Sequence, residues 1–178
     1  MKFLKSKKAL NFLFFQTGWF ACALGASYGS NWLGPVVVCV AVGLQLGWFK
    51  QPLRALGFFI LVGLIGTVFD SIPLSLGYFN FSLENPLPWE YPMWMSALWV
   101  NFASCFFISL SWLEKRLVLA SIFGLIGGPL SYLSGESLGA INILGNRLES
   151  LVVIGLFWAV ITPLLLVLKT KSQINNVE

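Results

Sequence analysis

Long apolar stretches separated by short polar turns dominate the chain. A helix needs about 20 apolar residues to cross the hydrocarbon core of a bilayer, and runs of about that length recur along the sequence. The pattern therefore predicts an all-α fold, a six-helix transmembrane bundle that forms a single integral membrane domain over residues 1–178. The predicted helices cover residues 10–26, 31–49, 55–76, 92–113, 117–133 and 151–168.

Basic residues are concentrated on one side of this predicted bundle. Ten of the 11 lysines and arginines lie before the first run, in alternate turns or after the last run, and only Arg147 falls opposite. The positive-inside rule then predicts cytoplasmic N- and C-termini, in a multi-pass protein of the bacterial cell inner (cytoplasmic) membrane. The ten residues are Lys2, Lys5, Lys7, Lys8, Lys50, Arg54, Lys115, Arg116, Lys169 and Lys171.

The amino-acid composition excludes several classes of protein and of functional site. Only 10% of the residues are charged, against about 25% in soluble domains, so a water-soluble globule is excluded. The chain has no histidine, which removes His-ligated metal and haem sites and Ser-His or Cys-His nucleophile pairs. The three cysteines lie in apolar runs, where we expect them to act as small hydrophobic residues in helix contacts. We expect no metal, no cofactor and no nucleic-acid partner.

A short repeat suggests an internal duplication. The segment Gly63-Leu64-Ile65-Gly66 recurs as Gly124-Leu125-Ile126-Gly127. Each copy follows a tryptophan and a basic turn, and both copies cross the predicted membrane in the same direction, so a duplication would be parallel. Chance recurrence in a chain rich in leucine, isoleucine and glycine explains the similarity equally well.

Asp70 is the outstanding candidate for function, because it lies deep in the third predicted helix. A carboxylate inside a membrane costs about 2.5–3.5 kcal/mol on insertion scales, and such residues face a bundle interior or a wet cavity. Asp70 either serves a functional site or fixes helix packing through a bond to a neighbouring helix.

The end of the fifth run is dense in polar groups and helix breakers. Pro129 should kink or break the helix, and irregular backbone at membrane depth survives only inside protein or along a cavity. Ser131 lies at about the same depth as Asp70, and Tyr132 and Glu136 share a face if the helix continues. An ordinary helix end with a polar loop is the alternative.

Several further polar and aromatic side chains in the runs could line one cavity that opens to the outside. Asn and Gln in membrane helices also commonly form hydrogen bonds between helices. Such a structural role is the alternative for each of these polar side chains. No residue is singled out as catalytic. The predicted polar cavity comprises Asp70, Ser71, Asn101, Ser131, Tyr132, Glu136, Gln16 and Trp99.

Four segments resemble an uncharacterised bacterial family of small multi-pass inner-membrane proteins, a domain of unknown function. They are Asn11–Gly25 (Asn-x4-Gln-x-Gly-Trp-Phe-x4-Gly), Asp70-Ser71, Pro92–Trp99 (Pro-x-Trp-Met-x2-Leu-Trp) and Gly127–Ala140 (Gly-Gly-Pro-Leu-Ser-Tyr-Leu-Ser-Gly-x-x-Leu-Gly-Ala). The resemblance covers nearly the whole chain. Family members often carry a basic residue after the Ser-Gly of the last segment, where this chain has Glu136-Ser137, so a charge-based role there is in doubt.

The resemblance implies a membrane protein without an assigned reaction. Members are often encoded near enzymes similar to cyclopropane-fatty-acyl synthases and near flavoproteins similar to amine oxidases. This association implies a role in membrane-lipid modification or envelope stress, with membrane lipids and a lipid-modifying enzyme as partners.

Three functions follow as expectations. The first is an accessory factor for fatty-acyl modification, which needs no catalytic residues of its own. The second is a small-molecule-binding membrane subunit or transporter, resembling the substrate-binding components of energy-coupling-factor transporters and working with partner subunits. The third is an intramembrane enzyme that uses Asp70 as acid or base, with Tyr132 or Glu136 assisting.

Overall fold

The computed structural model of the chain describes residues 2–82 and 91–174, with side chains from Ser6 onward. It confirms the predicted all-α fold, because six α-helices account for most of the described residues. Each predicted run overlaps one of them. Their bounds are α1 Lys2–Ser27, α2 Leu33–Leu46, α3 Pro52–Ser75, α4 Met93–Phe107, α5 Leu117–Ser137 and α6 Arg147–Lys171.

Successive helices run in opposite directions. Asn11, early in α1, bonds to Gln45 at the end of α2, and Gly63 of α3 lies against Val100 of α4. Gly124 of α5 lies against the second half of α6 in the same antiparallel manner. α2, α4 and α6 thus each return alongside the helix that precedes them.

This arrangement gives the bundle two ends. The basic end comprises the start of α1, residues 47–51, residues 108–116 and the end of α6. The strand end comprises residues 28–32, 76–82 and 138–146. The basic residues predicted to share one side, where their side chains are described, lie at or close to the basic end, while the side chains of Lys2 and Lys5 lie outside the described residues.

Four helices have the character of membrane spans. α1, α3, α5 and α6 are long and apolar enough to cross a membrane, whereas α2 and α4 have only 14 and 15 residues. Large apolar side chains such as Val36, Leu64 and Ile126 are exposed on the outer faces. A surface of that kind needs lipid contact, and the protein is therefore an integral membrane protein.

α4 lies at the centre of the bundle and ends earlier than predicted. Residues 101–107 are all buried, and the chain leaves the helix at Phe107 rather than continuing to 113. Phe49, Phe58 and Phe59 pack edge-to-face around Phe107, and Ser111–Leu113 form a separate 3-10 turn. This separate turn therefore takes the place of the last part of the predicted helix.

Of the two effects predicted for Pro129, a break does not occur, because α5 continues past it to Ser137. A proline removes one backbone donor, but a neighbouring helix can accommodate the change. Gly155 of α6 leaves space for the proline ring, because a Cβ at residue 155 would lie 3.1 Å from that ring.

A two-stranded antiparallel ribbon, which the sequence did not predict, lies at the strand end. β1 (Phe79–Phe81) pairs with β2 (Ile141–Ile143), and Asn80 stands opposite Asn142. The Asn142 amide donates to the Asn80 side-chain oxygen at 2.9 Å. The pairing is centred on these two asparagines, which are the middle residues of β1 and β2, so the two strands occupy equivalent positions in the ribbon.

The ribbon joins two equivalent helix–strand–helix halves, α3–β1–α4 and α5–β2–α6. Gly77 and Gly139 precede the strands at the same spacing, and both have positive φ, 76° and 80°. Gly66 and Gly128 precede those glycines, again at the same spacing. The structure therefore favours a parallel duplication over chance, but it matches Gly66 to Gly128, one residue beyond the predicted alignment.

Candidate functional site

A cavity of about 660 Å³ lies between the centre of the bundle and the strand end. Its wall is mostly apolar and comes from α1, α3, α4, α5, α6 and β2. Small-molecule sites are typically apolar concavities of about 300–1,000 Å³ with a few convergent polar groups. Aromatic side chains dominate this wall, and they are Phe15, Trp19, Phe20, Trp94, Trp99, Phe102, Phe123, Tyr132 and Trp158.

Asp70 is the one carboxylate on this wall among the described residues. It lies one turn beyond Gly66 on α3 and is only 2% exposed. Trp99 Nε1 donates to its Oδ2 at 2.8 Å, and the Tyr91 hydroxyl donates to the same oxygen at 3.3 Å. Hydrogen bonds of this kind offset part of the cost of burying a carboxylate, and they hold it toward the bundle interior.

The indole that binds Asp70 is itself held by stacking. Trp99 and Trp158 lie with ring centroids 4.8 Å apart and planes inclined by 17°. A Cβ on Gly66 would overlap the Trp99 ring, and a Cβ on Gly128 would overlap the Trp158 ring. The two glycines therefore let equivalent helices approach closely enough to place both indoles at the cavity.

Two polar atoms that belong to cavity-lining residues are buried without a hydrogen-bond partner in the described part of the chain. They are the Tyr132 hydroxyl and Trp158 Nε1. Tyr132 is 3% exposed, and its hydroxyl is close enough to Asp70 for an electrostatic interaction, although the pair does not have hydrogen-bond geometry. Buried polar groups are normally satisfied, so these two atoms are exceptional among the residues that line the cavity.

α1 and α5 form one side of the cavity but make little direct contact with each other. Trp19 Nε1 donates to Ser131 Oγ at 3.1 Å across the space between them. Phe20, Phe123 and Leu130 line the cavity and are also exposed on the outer surface. We call the opening between these three residues the side gap.

Five of the eight predicted site residues lie on the cavity wall. Gln16, Asp70, Trp99, Ser131 and Tyr132 come together there. The cavity differs from the polar one that was expected, because aromatic and glycine residues make up half of the residues that line it.

Three predicted residues point elsewhere, each for a local reason. The Ser71 hydroxyl donates back to Thr67 O on its own helix at 2.7 Å. Asn101 faces α1, where its amide donates to Phe15 O at 2.9 Å. Glu136 pairs with Arg147 at 2.7 Å and accepts from the Ile143 backbone N–H, so it stabilises the connection between α5 and α6 by strand β2.

Sequence reasoning missed Tyr91 and Trp158, which complete the site. Tyr91 directly precedes the fourth predicted helix and so lay outside the predicted runs. Trp158 lies in an ordinary apolar run, and only its equivalence to Trp99 in the duplicated halves could have singled it out.

A second polar cluster lies toward the basic end and has a structural character. Asn11 is fully buried, and its amide donates to Gln45 Oε1 at 2.6 Å and to Ser104 Oγ at 3.1 Å. The Ser109 backbone N–H donates to Asn11 Oδ1. Every polar atom of the Asn11 side chain is thus used to join α1, α2 and α4.

The end of α6 is fixed by an ion pair. Lys169 Nζ donates to Glu114 Oε2 at 2.6 Å, with the lysine 4% and the glutamate 27% exposed. Partial burial acts to raise the pKa of Glu114, but the hydrogen bond and charge of Lys169, with smaller contributions from Thr170 and Lys115, outweigh it and lower the pKa from its ordinary value of 4.5.

Residues 8–164 match the model of a protein family described as a protein of unknown function, DUF2878. The chain therefore belongs to that family. No curated protein and no solved structure matches the chain.

Proposed function

We propose that this membrane protein binds an apolar small molecule carrying one hydrogen-bonding group, held in the cavity beside Asp70. The observation that carries the proposal is the convergence of Asp70, Tyr132 and Trp158 at a cavity whose wall is mostly apolar. Apolar lining provides affinity, and a small number of fixed polar groups orients the ligand.

The polar groups define what part of the ligand they would recognise. The Asp70 carboxylate accepts hydrogen bonds, the Trp158 N–H donates them, and the Tyr132 hydroxyl can do either. A hydroxyl group on the ligand both donates and accepts, so it could satisfy all of them. The Trp99–Trp158 stack fixes these groups in position before the ligand arrives, which reduces the entropy cost of binding.

Filling the cavity tests the proposal. Gly127 lines it, and a Cβ there would meet only the Phe123 ring at 3.9 Å, so Gly127→Leu should fold and occupy ligand space. Gly43→Leu is the matched control, because Gly43 is an exposed helical glycine with nothing near its Cβ position.

Each variant is purified from membranes, and the extracted small molecules are quantified by mass spectrometry per mole of protein. We expect one class of apolar molecule to accompany the wild type and Gly43→Leu and to be lost from Gly127→Leu. Equal amounts of every extracted molecule in all three proteins would overturn the proposal.

The other expected functions have different support. A binding cavity suits a substrate-binding membrane subunit or transporter, whereas the accessory role in fatty-acyl modification or envelope stress stays a prediction. An enzyme using Asp70 has the least support, because no lysine, cysteine or second carboxylate lines the cavity among the described residues. A lone carboxylate is a thin catalytic site.

We also propose that the basic end faces the cytoplasm of a bacterium and that the protein lies in its inner membrane. The support is the distribution of lysines and arginines, which follows the positive-inside rule. The cavity would then lie in the outer half of the bilayer.

A further inference from the structure

We infer that the ligand is a single-chain, hydroxyl-headed amphiphile that enters from the bilayer through the side gap, and that the Trp19–Ser131 hydrogen bond acts as the latch on that route. This inference rests on the proposed function, since it names the ligand class and the entry route of the same cavity.

The first step is the position of the opening. Phe20 on α1 is 46% exposed, Leu130 on α5 is 56% exposed, and both also line the cavity. These side chains belong to the lipid-facing surface, where Phe12, Leu13 and Ile126 are likewise exposed. The side gap therefore connects the cavity to lipid, and an apolar molecule dissolved in the bilayer reaches it without crossing water.

The second step is the gradient of polarity along the cavity. Phe123 and Gly127 line it toward the bundle centre, while Ser131, Ser134 and Ser137 line it toward the strand end. A lipid in the adjacent leaflet has the same gradient, with its chain toward the bilayer centre and its head near the surface. The cavity thus matches an amphiphile that keeps its membrane orientation on entry.

The third step is the head group. Asp70, Tyr132 and Trp158 all line the cavity, and the Tyr132 hydroxyl and Trp158 N–H are buried without a hydrogen-bond partner among the described residues. A hydroxyl can donate to the carboxylate and accept from the indole, whereas an ammonium group cannot accept and a carboxylate group would meet Asp70 as a like charge. These groups therefore select an alcohol.

The fourth step is the latch. Trp19 Nε1 and Ser131 Oγ are joined at 3.1 Å, and α1 and α5 have little other direct contact. Trp19 is partly buried and packs edge-on against Phe20 with centroids 5.1 Å apart. Breaking one side-chain hydrogen bond thus frees the indole and widens the side gap.

The test uses the full chain in phosphatidylcholine vesicles with hexadecanol that carries a photoactivatable diazirine on its chain. Labelling of the protein at equilibrium reports the site, and the loss of labelling after a chase with excess plain hexadecanol reports the exchange rate. Ser131→Ala and Trp19→Phe each remove the latch, and the double variant tests whether the two act together. Ser75→Ala is the matched control, because Ser75 is an exposed residue at the end of α3 that does not line the cavity, and its hydroxyl donates to Ile72 O on its own helix.

We expect Ser131→Ala and Trp19→Phe to exchange about fivefold faster than the wild type, as the loss of one hydrogen bond implies. The double variant should be no faster than either single variant, and Ser75→Ala should match the wild type. Exchange in Ser131→Ala equal to that in Ser75→Ala would overturn the latch.

Two further outcomes separate the ligand class from the proposed function. Equal labelling by the alcohol and by a diazirine-bearing hexadecane would overturn recognition of the hydroxyl head, while the apolar site would stand. Labelling that Gly127→Leu does not reduce, or no labelling of the wild type, would overturn the amphiphile inference, and the extraction experiment would then decide separately whether the cavity holds another ligand.

Discussion

Trp99 and Trp158 stack with centroids 4.8 Å apart, and they occupy equivalent positions in the two duplicated halves of the bundle. Trp99 also donates to Asp70, which follows Gly66 by one turn. Tyr132 follows Gly128 by one turn in the other half. The duplication thus brings a carboxylate and a phenol to matching places at one cavity, and the indole stack between the halves fixes their geometry.

Close helix approach at the stack should make Gly128 intolerant of a side chain. Gly128→Ala places a methyl group against the Trp158 ring, and overpacking of this kind costs about 1–3 kcal/mol. We expect a lower free energy of unfolding in detergent, measured by denaturant titration with tryptophan fluorescence. Gly57→Ala is the control, since nothing lies near its Cβ position, and equal stability of both variants would contradict the packing.

Replacing Asp70 with a side chain of the same shape should reduce ligand binding more than it reduces the stability of the fold. Asp70→Asn retains an oxygen that accepts from Trp99 and Tyr91 but loses the charge-assisted bond to the ligand, so we expect about fivefold less bound ligand at near-normal stability. Asp70→Leu leaves two buried donors unpartnered and should cost about 1–3 kcal/mol for each. Thermal unfolding and extraction measure the two effects, and full ligand content in Asp70→Asn would make Asp70 structural.

The Glu114–Lys169 pair should make stability depend on acid pH. Lys169 helps to lower the pKa of Glu114 in the folded state. The stability that the pair contributes is therefore complete above the pKa of the unfolded state, near 4.5. It is lost as the pH falls through the lower pKa of the folded state. Glu114→Ala should remove this dependence and, by leaving Lys169 without its carboxylate, cost about 1–3 kcal/mol at neutral pH.

Unfolding in detergent across the pH range checks this expectation. Glu149→Ala serves as the control, because Glu149 is an exposed carboxylate at the start of α6 and should change stability by less than about 1 kcal/mol. An identical pH profile for wild type and Glu114→Ala would show that the ion pair contributes nothing.

The orientation of the bundle can be read from both ends. Tyr28→Cys places a thiol at the strand end, where Tyr28 is 85% exposed, and Lys171→Cys places one at the basic end, both in a background without the exposed Cys39. In intact cells a membrane-impermeant maleimide should label only Tyr28→Cys, and Lys171→Cys should react after permeabilisation. The reverse pattern would invert the proposed topology.

Much of the bundle could be predicted from the sequence because the signal is thermodynamic. Runs of apolar residues need lipid, so the six helices were predictable, and the cost of burying Asp70 required an interior position. The ribbon was not predictable, since Phe79–Phe81 and Ile141–Ile143 are too short to show an alternating pattern.

The exact lining of the cavity depends on neighbours that a single sequence does not reveal. Asn101 faces α1 because Gly18 leaves room for its amide. The ion pair between Glu136 and Arg147 forms because α5 continues past Pro129 to Ser137. Depth in the membrane can be counted along a helix, but the side to which a residue turns is set by packing between helices.

A crystal structure of the protein grown from a lipidic mesophase tests the central claim most directly. The account predicts an elongated density along α5 within the cavity, entering at the side gap and ending within hydrogen-bond distance of Asp70. Helices α1 and α5 packed against each other, with aromatic side chains filling the space beside Asp70, would contradict it.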